Sequence, residues 1–183
     1  MTRYTTEYAD IQRAFHVQRP DYGVHAHRWA ETVMNIAQQL NTSDILDYGA
    51  GKGTLQKNIP FPITQYDPFV PEFAREPAPA ALVCCLDTLE HIEPDCLTAV
   101  LSHISSLTRN LLFCDIALRP AGKFLPDGRN AHLIVESGNW WLARLLPYFT
   151  IRSFTLQEGS CIILAAPHGP TAPAMQSYLP GTA

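Results

Sequence analysis

Residues 44–55 read DILDYGAGKGTL and place three glycines, Gly49, Gly51 and Gly53, directly after a short apolar run that ends in an acid, Asp47. Glycine takes left-handed backbone without strain and lets another group approach the main chain closely. An apolar run, a glycine-rich turn and a resumed run that reads as a helix make a strand–turn–helix unit. Amide N–H groups at such a helix start point at whatever binds there. The unit predicts an open α/β sheet with a nucleotide-type ligand at the carboxyl ends of its strands.

Spacing narrows the ligand. The dinucleotide fingerprint G-x-G-x-x-G fails, because Thr54 stands where the third glycine belongs. The phosphate-binding pattern G-x-x-x-x-G-K-[ST] fails too, since Lys52 lies between glycines. A second acid, Asp67, closes the next β-like run, residues 63–66. A carboxylate only accepts hydrogen bonds and ribose hydroxyls can donate them, so an acid there suits a ribose. Residues 81–86 form a continuous apolar run, the pattern of a strand buried on both faces. It ends in Asp87-Thr88-Leu89-Glu90-His91.

Together these landmarks resemble the class I S-adenosylmethionine (SAM) methyltransferases. Residues 46–53 follow their LDxGxGxG motif, and LEHI (89–92) is similar to the string that closes their fourth strand. The resemblance covers roughly residues 24–118. It implies a Rossmann-like α/β fold, a three-layer sandwich around a mostly parallel sheet with an antiparallel C-terminal strand at the edge. It implies SAM as cofactor, held by Asp47, Gly49, Gly51 and Asp67, with Leu86 and Asp87 beside it, and the activity of a SAM-dependent methyltransferase. The family places a helix, a strand and a second helix between its second and fourth strands. Here only residues 68–80 separate Asp67 from the next strand, and prolines 60, 62, 68, 71, 77 and 79 exclude helix interiors and central strands. That unit is therefore expected to shrink to an extended loop, reducing the seven-strand pattern to about six. The acid that follows the family's third strand has no counterpart, which leaves Phe69, Leu86 or a partner to close the adenine side.

Length and charge bound the rest. The 183 residues suit one domain with a sizeable core. A net charge of −4 does not favour nucleic acid, which rewards basic patches, so a small-molecule substrate is expected. The absence of a long apolar run argues against a membrane span, and residues 1–15 lack the apolar core of a signal peptide. Cys84, Cys85, Cys114 and Cys161 fall in apolar strand-like runs without metal-type spacing and read as reduced core residues of a cytoplasmic protein. Residues 1–23 read as an N-terminal helical segment over the cofactor mouth or a partner, and 24–166 as the SAM-binding domain. The stretch 167–183 has no Asp, Glu, Lys or Arg and reads as a disordered tail.

Helical periodicity appears at Ala26, Trp29, Ala30, Val33, Met34, Ala37 and Leu40, and again at Leu97, Val100, Leu101, Ile104 and either Leu107 or Thr108. Pro94 opens the second of these helices, at a position where its missing N–H costs nothing. A short helix over 139–146 and two strands, 149–156 and 160–166, complete the reading.

Methyl transfer is an in-line displacement that needs a positioned nucleophile and, for oxygen, loss of a proton. Asp87, Glu90 and His91 share one face over a helical turn, and two carboxylates with an imidazole make a half-shell for a divalent cation. His132, in RNAHLIVES, is the candidate fourth member. An acid-x-x-Glu-His string resembles two metal-dependent groups, the ubiquinone-pathway O-methyltransferases and the small-RNA 3′-end 2′-O-methyltransferases. Residues 129–132 are similar to the segment that supplies another ligand in the RNA group. The resemblance implies Asp87, His91 and His132 as catalytic residues and all four as metal ligands. Alternatively His91 is a cap and His132 a surface histidine. His25 and His27 read as solvent-facing caps, Trp140 and Trp141 as one core and one exposed indole, and Arg129 as either an anion guide or a structural ion pair. Three functions follow: methyl transfer to oxygen or nitrogen of a small molecule or carrier-bound group; metal-assisted 2′-O-methylation of an RNA end; and a non-catalytic SAM-binding scaffold.

Overall fold

The computed structural model describes residues 2–169. The element order is α1 (Thr6–Gln18), α2 (Ala30–Gln39), β1 (Ile45–Tyr48), β2 (Thr64–Tyr66), β3 (Ala80–Leu86), α3 (Leu97–Leu107), β4 (Thr108–Ala117), α4 (Gly138–Leu145), β5 (Phe149–Gln157) and β6 (Ser160–Pro167), with single turns of 3-10 helix between them. The strands form one six-stranded sheet in the order β2-β1-β3-β4-β6-β5. The first four run parallel. β6 is antiparallel to both β4 and β5. The antiparallel strand therefore sits one position in from the edge, which β5 occupies, rather than at the edge itself.

The sequence pattern explains the layers. All seven residues of β3 are buried. Val83 and Cys85 face one cluster, with α3, α4 and Trp141, and Leu82, Cys84 and Leu86 face the other, with α2. This period of two under a continuous apolar run is what a parallel strand covered on both faces requires. α2 seats Val33 and Ile36, both fully buried, each worth about 1.5–3 kcal/mol of burial. Asn41, in left-handed backbone with φ 51°, ends it. α3 buries Leu97, Val100, Leu101, Ile104 and Leu107, the spacing having left the last open between Leu107 and Thr108, and Ser137 caps α4 by accepting from the Trp140 amide. Trp141 is core and Trp140 half-buried. All five cysteines are free and buried.

Two expectations change. No α-helix follows the glycine turn: residues 49–55 are turns, leading into a 3-10 turn at Gln56–Asn58. Pro60 and Pro62 stop a longer helix. The expected disordered tail lies outside the described residues from 170 onward, and Pro167 belongs to β6, paired with Phe149. The loop between β2 and β3 holds only a 3-10 turn at Pro71–Phe73, so the family's third strand is missing and β2 becomes the sheet edge. α1 packs a small cluster of its own, Tyr8, Phe15, Tyr22, Leu125 and Ala131, across the carboxyl ends of the strands.

Candidate active site

A cavity of about 810 Å³ opens at the carboxyl ends of β1–β4. Gly49, Gly51, Asp67, Asp87, His91 and His132 line it, and the inner face of α1 covers it with Tyr8, Gln12 and His16.

The three turn glycines have φ of 83°, 53° and 65°. A Cβ on Gly49 would lie 2.4 Å from the Thr88 side chain, and one on Gly51 would lie 2.7 Å from the Gly23 carbonyl oxygen. Close packing and left-handed backbone thus both demand glycine. The amides of the turn do not wait for a ligand, contrary to the sequence expectation. Those of Gly49 and Ala50 donate to the Tyr66 carbonyl, Lys52 to Gly23 and Gly53 to Ala50, while Gly51 donates to Asp67 Oδ2 at 3.0 Å. A phosphate cradle needs free amides. A ligand without phosphate needs only bare backbone to lie against.

Asp67 is 6% exposed. Its Oδ1 accepts from the Phe69 amide at 2.9 Å, so each oxygen keeps lone-pair capacity toward the cavity. Burial raises its pKa and His16 nearby lowers it. Asp47 lies beneath the turn, 1% exposed, and its Oδ2 has no partner among the described residues. Burial, then Asp67, pushes its pKa up to about 7. Leu86 is not where the resemblance implied: its side chain is 3% exposed in the α2-side core and does not line the cavity. On a strand covered on both faces, the residue facing α2 is taken by the core. Phe69 does reach the cavity wall, edge-on to Tyr4 and Tyr8 at ring centroid distances of 5.2 and 5.8 Å. The N-terminal segment is pinned there by Arg3 to Glu76 and Tyr66 and by Thr5 to Glu93.

Asp87, Glu90, His91 and His132 come together, with one ligand atom from each within 4.8 Å of all the others. Asp87 ends β3 in left-handed backbone, φ 53°, a strain that costs about 1–3 kcal/mol in a non-glycine residue and marks functional positions. A 3-10 turn, Leu89–His91, carries the next two members. Glu90 Oε1 accepts from the Ala117 amide at 2.8 Å, while Oε2 is buried without a partner among the described residues. Burial and Asp87 raise its pKa well above the usual range. His91 Nδ1 lies 2.7 Å from the Ala131 carbonyl oxygen, and His132 Nδ1 lies 2.6 Å from that of Arg119. A carbonyl only accepts, so both Nδ1 atoms carry a proton, and in the neutral ring Nε2 then keeps its lone pair. Burial and His132 lower the His91 pKa to about 4, which keeps its imidazole neutral at physiological pH.

The site has members that sequence reasoning missed. Tyr8, Gln12 and His16 recur at i, i+4, i+8 on the buried face of α1, a polar stripe legible as such. Arg28 and Trp29 line the cavity and are held by Asp115 on β4, which is 1% exposed and accepts from Arg28 and from Trp29 Nε1 at 2.9 Å; only the fold brings these together. Arg129 pairs with Asp127 at 2.6 Å, the structural alternative. His27 caps its own turn through the Val24 carbonyl, and the exposed His25 lines the cavity.

The methyltransferase domain family model matches residues 20–157. The chain belongs to this family, the class I SAM-dependent methyltransferases. Its cofactor is SAM and its activity is that of a SAM-dependent methyltransferase. No curated protein matches this methyltransferase. Solved structures share its fold. One is the 1,6-didemethyltoxoflavin-N1-methyltransferase of Burkholderia thailandensis, with bound 1,6-didemethyltoxoflavin and S-adenosylhomocysteine: 20% identity, 88% of this chain and 89% of that one, TM-score 0.58. Another is the DhpI–SAH complex, with 14% identity, 89% and 98% coverage and a TM-score of 0.60. A third is the methyltransferase domain of bacterial CtHen1, with 15% identity, 78% and 99% coverage and a TM-score of 0.53. Among the described residues no helix is long and apolar enough to cross a membrane.

Proposed function

We propose that this methyltransferase moves the SAM methyl group to an oxygen of a small molecule, or of a small group on a carrier, held against Asp87, His91 and His132, with the buried Glu90 completing the cluster. The observation that carries this reading is the convergence of those four side chains, of which Asp87, His91 and His132 line the cavity together with Gly49, Gly51 and Asp67, while Glu90 is fully buried. Gly49 and Gly51 give SAM a bare surface, and Asp67 accepts from its ribose hydroxyls. Asp47 supports the turn from below.

The donor set fits a divalent cation. Two carboxylates and two imidazole nitrogens suit Mn²⁺, Co²⁺ or Zn²⁺ better than Mg²⁺. Glu90 Oε2 is buried with no partner among the described residues, and a cation there would favour the ionised carboxylate that burial and Asp87 otherwise oppose. The spread of 4.8 Å is within an ångström of the ~3–4 Å between ligands about 2.1 Å from one ion. A cation there supplies Lewis-acid lowering of an acceptor hydroxyl's pKa. The residues do the rest: Ala131 and Arg119 fix both imidazole tautomers, Glu90 is anchored by the Ala117 amide, and α1 excludes water. The buried free thiols suit the cytoplasmic setting expected from the sequence.

The second reading is 2′-O-methylation of an RNA 3′ end. The same four residues favour it, as does the resemblance of residues 129–132; the net charge of −4 weighs against it. The test is transfer of labelled methyl from SAM to a panel of diol-bearing small molecules and to RNA oligonucleotides with free 3′ ends, with and without Mn²⁺. Label on the small molecules supports the first reading, and label on RNA alone replaces it with the second.

A further inference from the structure

The polar stripe inside α1 is satisfied at two positions and open at the third. Tyr8 donates from its hydroxyl to the His91 carbonyl, and Gln12 Nε2 donates to the Tyr8 hydroxyl at 2.6 Å. His16 makes no side-chain hydrogen bond among the described residues. It is 7% exposed, and its Nδ1 is buried with no partner. A buried polar group in that state costs about 1–3 kcal/mol unless something binds it.

The ring is held in place. Tyr22 packs against it edge-on, with centroids 4.9 Å apart, and a Cβ on Gly23 would lie 3.3 Å from its Cε1 and 3.1 Å from the Gly51 Cα. His16 therefore stands beside the glycine turn, at the wall it shares with Asp67. No hydrogen bond or ion pair joins His16 to Asp67, yet each feels the charge of the other. Both residues line the cavity, Asp67 as a carboxylate that still accepts and His16 as an imidazole that still lacks a partner among the described residues. A ribose hydroxyl suits such a pair, since one O–H donates while its oxygen accepts.

We propose that His16 is a cofactor-holding residue, reaching from α1 to hydrogen-bond the ribose diol of SAM that Asp67 holds from the sheet. This rests on SAM being the cofactor. It makes α1 part of the cofactor site, in place of the strand and helices missing after β2.

The experiment is titration calorimetry of the full chain with S-adenosylhomocysteine and with its 2′,3′-dideoxy analogue, on wild type, His16→Ala and His16→Asn, each checked by its thermal midpoint. Asn places a polar atom where Nδ1 stands, so it separates loss of the contact from loss of the ring. We expect His16→Ala to weaken S-adenosylhomocysteine about tenfold, His16→Asn to recover most of that, and neither to change affinity for the dideoxy analogue. An unchanged affinity in His16→Ala, or an equal loss with both ligands, overturns the assignment while leaving the cofactor reading intact. A wild type that binds neither ligand overturns both.

Discussion

His91 and His132 face each other edge to face, ring centroids 4.8 Å apart and planes at 84°, each with its Nδ1 proton given to a backbone carbonyl. Two imidazoles so arranged bring a ring nitrogen each to one place, and Glu90 and Asp87 bring carboxylates to it.

That arrangement predicts a separable effect for Glu90→Gln. The amide oxygen can still accept from the Ala117 N–H, so the fold survives. Removing a buried carboxyl with an unpartnered oxygen leaves the cation-free protein as stable as wild type or more so. Calorimetric Mn²⁺ binding should fall by at least 10-fold. Unchanged Mn²⁺ affinity would remove Glu90 from the ligand set.

His91→Ala and His132→Ala should each cut turnover by about 10²-fold while SAM affinity stays within a few-fold, because neither side chain touches the glycine turn. A chelator should abolish activity and Mn²⁺ or Co²⁺ should restore it best. Full turnover in the presence of a chelator would return His91 to the role of cap or general base.

On the cofactor side, Asp67→Ala should weaken SAM by roughly 1–3 kcal/mol, read by calorimetry. The same variant frees the Gly51 amide, so a small loss of thermal midpoint should accompany it. Gly51→Ala is the harsher change. Its left-handed φ and the 2.7 Å approach to the Gly23 carbonyl predict destabilisation of about 1–3 kcal/mol in denaturant melts.

Asp47 gives a pH signature. Its carboxyl is raised in the folded state from 3.8 to about 7, so the folded chain holds a proton that the unfolded chain releases. The stability linked to this group is fully present below about pH 4 and is lost as pH rises to about 7, a span worth on the order of 4 kcal/mol. Asp47→Asn cannot ionise. Its thermal midpoint relative to wild type should therefore climb between pH 4 and pH 7 and level off above. A constant difference across that range would mean Asp47 is already ionised in the fold.

Much of this was legible in the sequence for physical reasons that can be named. The run 81–86 announced a strand covered on both faces because its residues are apolar without alternation. Asp67 was singled out because a strand-end acid twenty residues beyond Asp47 suits a ribose, and the fold does bring it to the cavity beside the glycine turn. Glu90 and His91 were named because they share one face with Asp87 over a helical turn, and His132, 42 positions beyond Glu90, only through the resemblance of residues 129–132 to a ligand-supplying segment. The free amides of the turn were misjudged. Spacing reveals where glycines fall but not that Tyr66, Asp67 and Gly23 would take their N–H groups. Leu86 was misassigned because a strand's period decides which face a residue serves, and position 86 falls on the α2 side. His16 was passed over because a histidine in a helix seven residues before a glycine looks like any other. Only the fold set it beside Gly51 and Asp67.

The most direct measurement is transfer of isotope-labelled methyl from SAM into a nuclease-treated, small-molecule fraction of cell extract, with wild type and His91→Ala run in parallel and SAM binding verified for both. The account predicts label in one or a few small molecules with wild type, dependent on a divalent cation and lost in the variant. SAM binding by wild type with no label in that fraction or in RNA would contradict it, and would make the chain a SAM-binding scaffold.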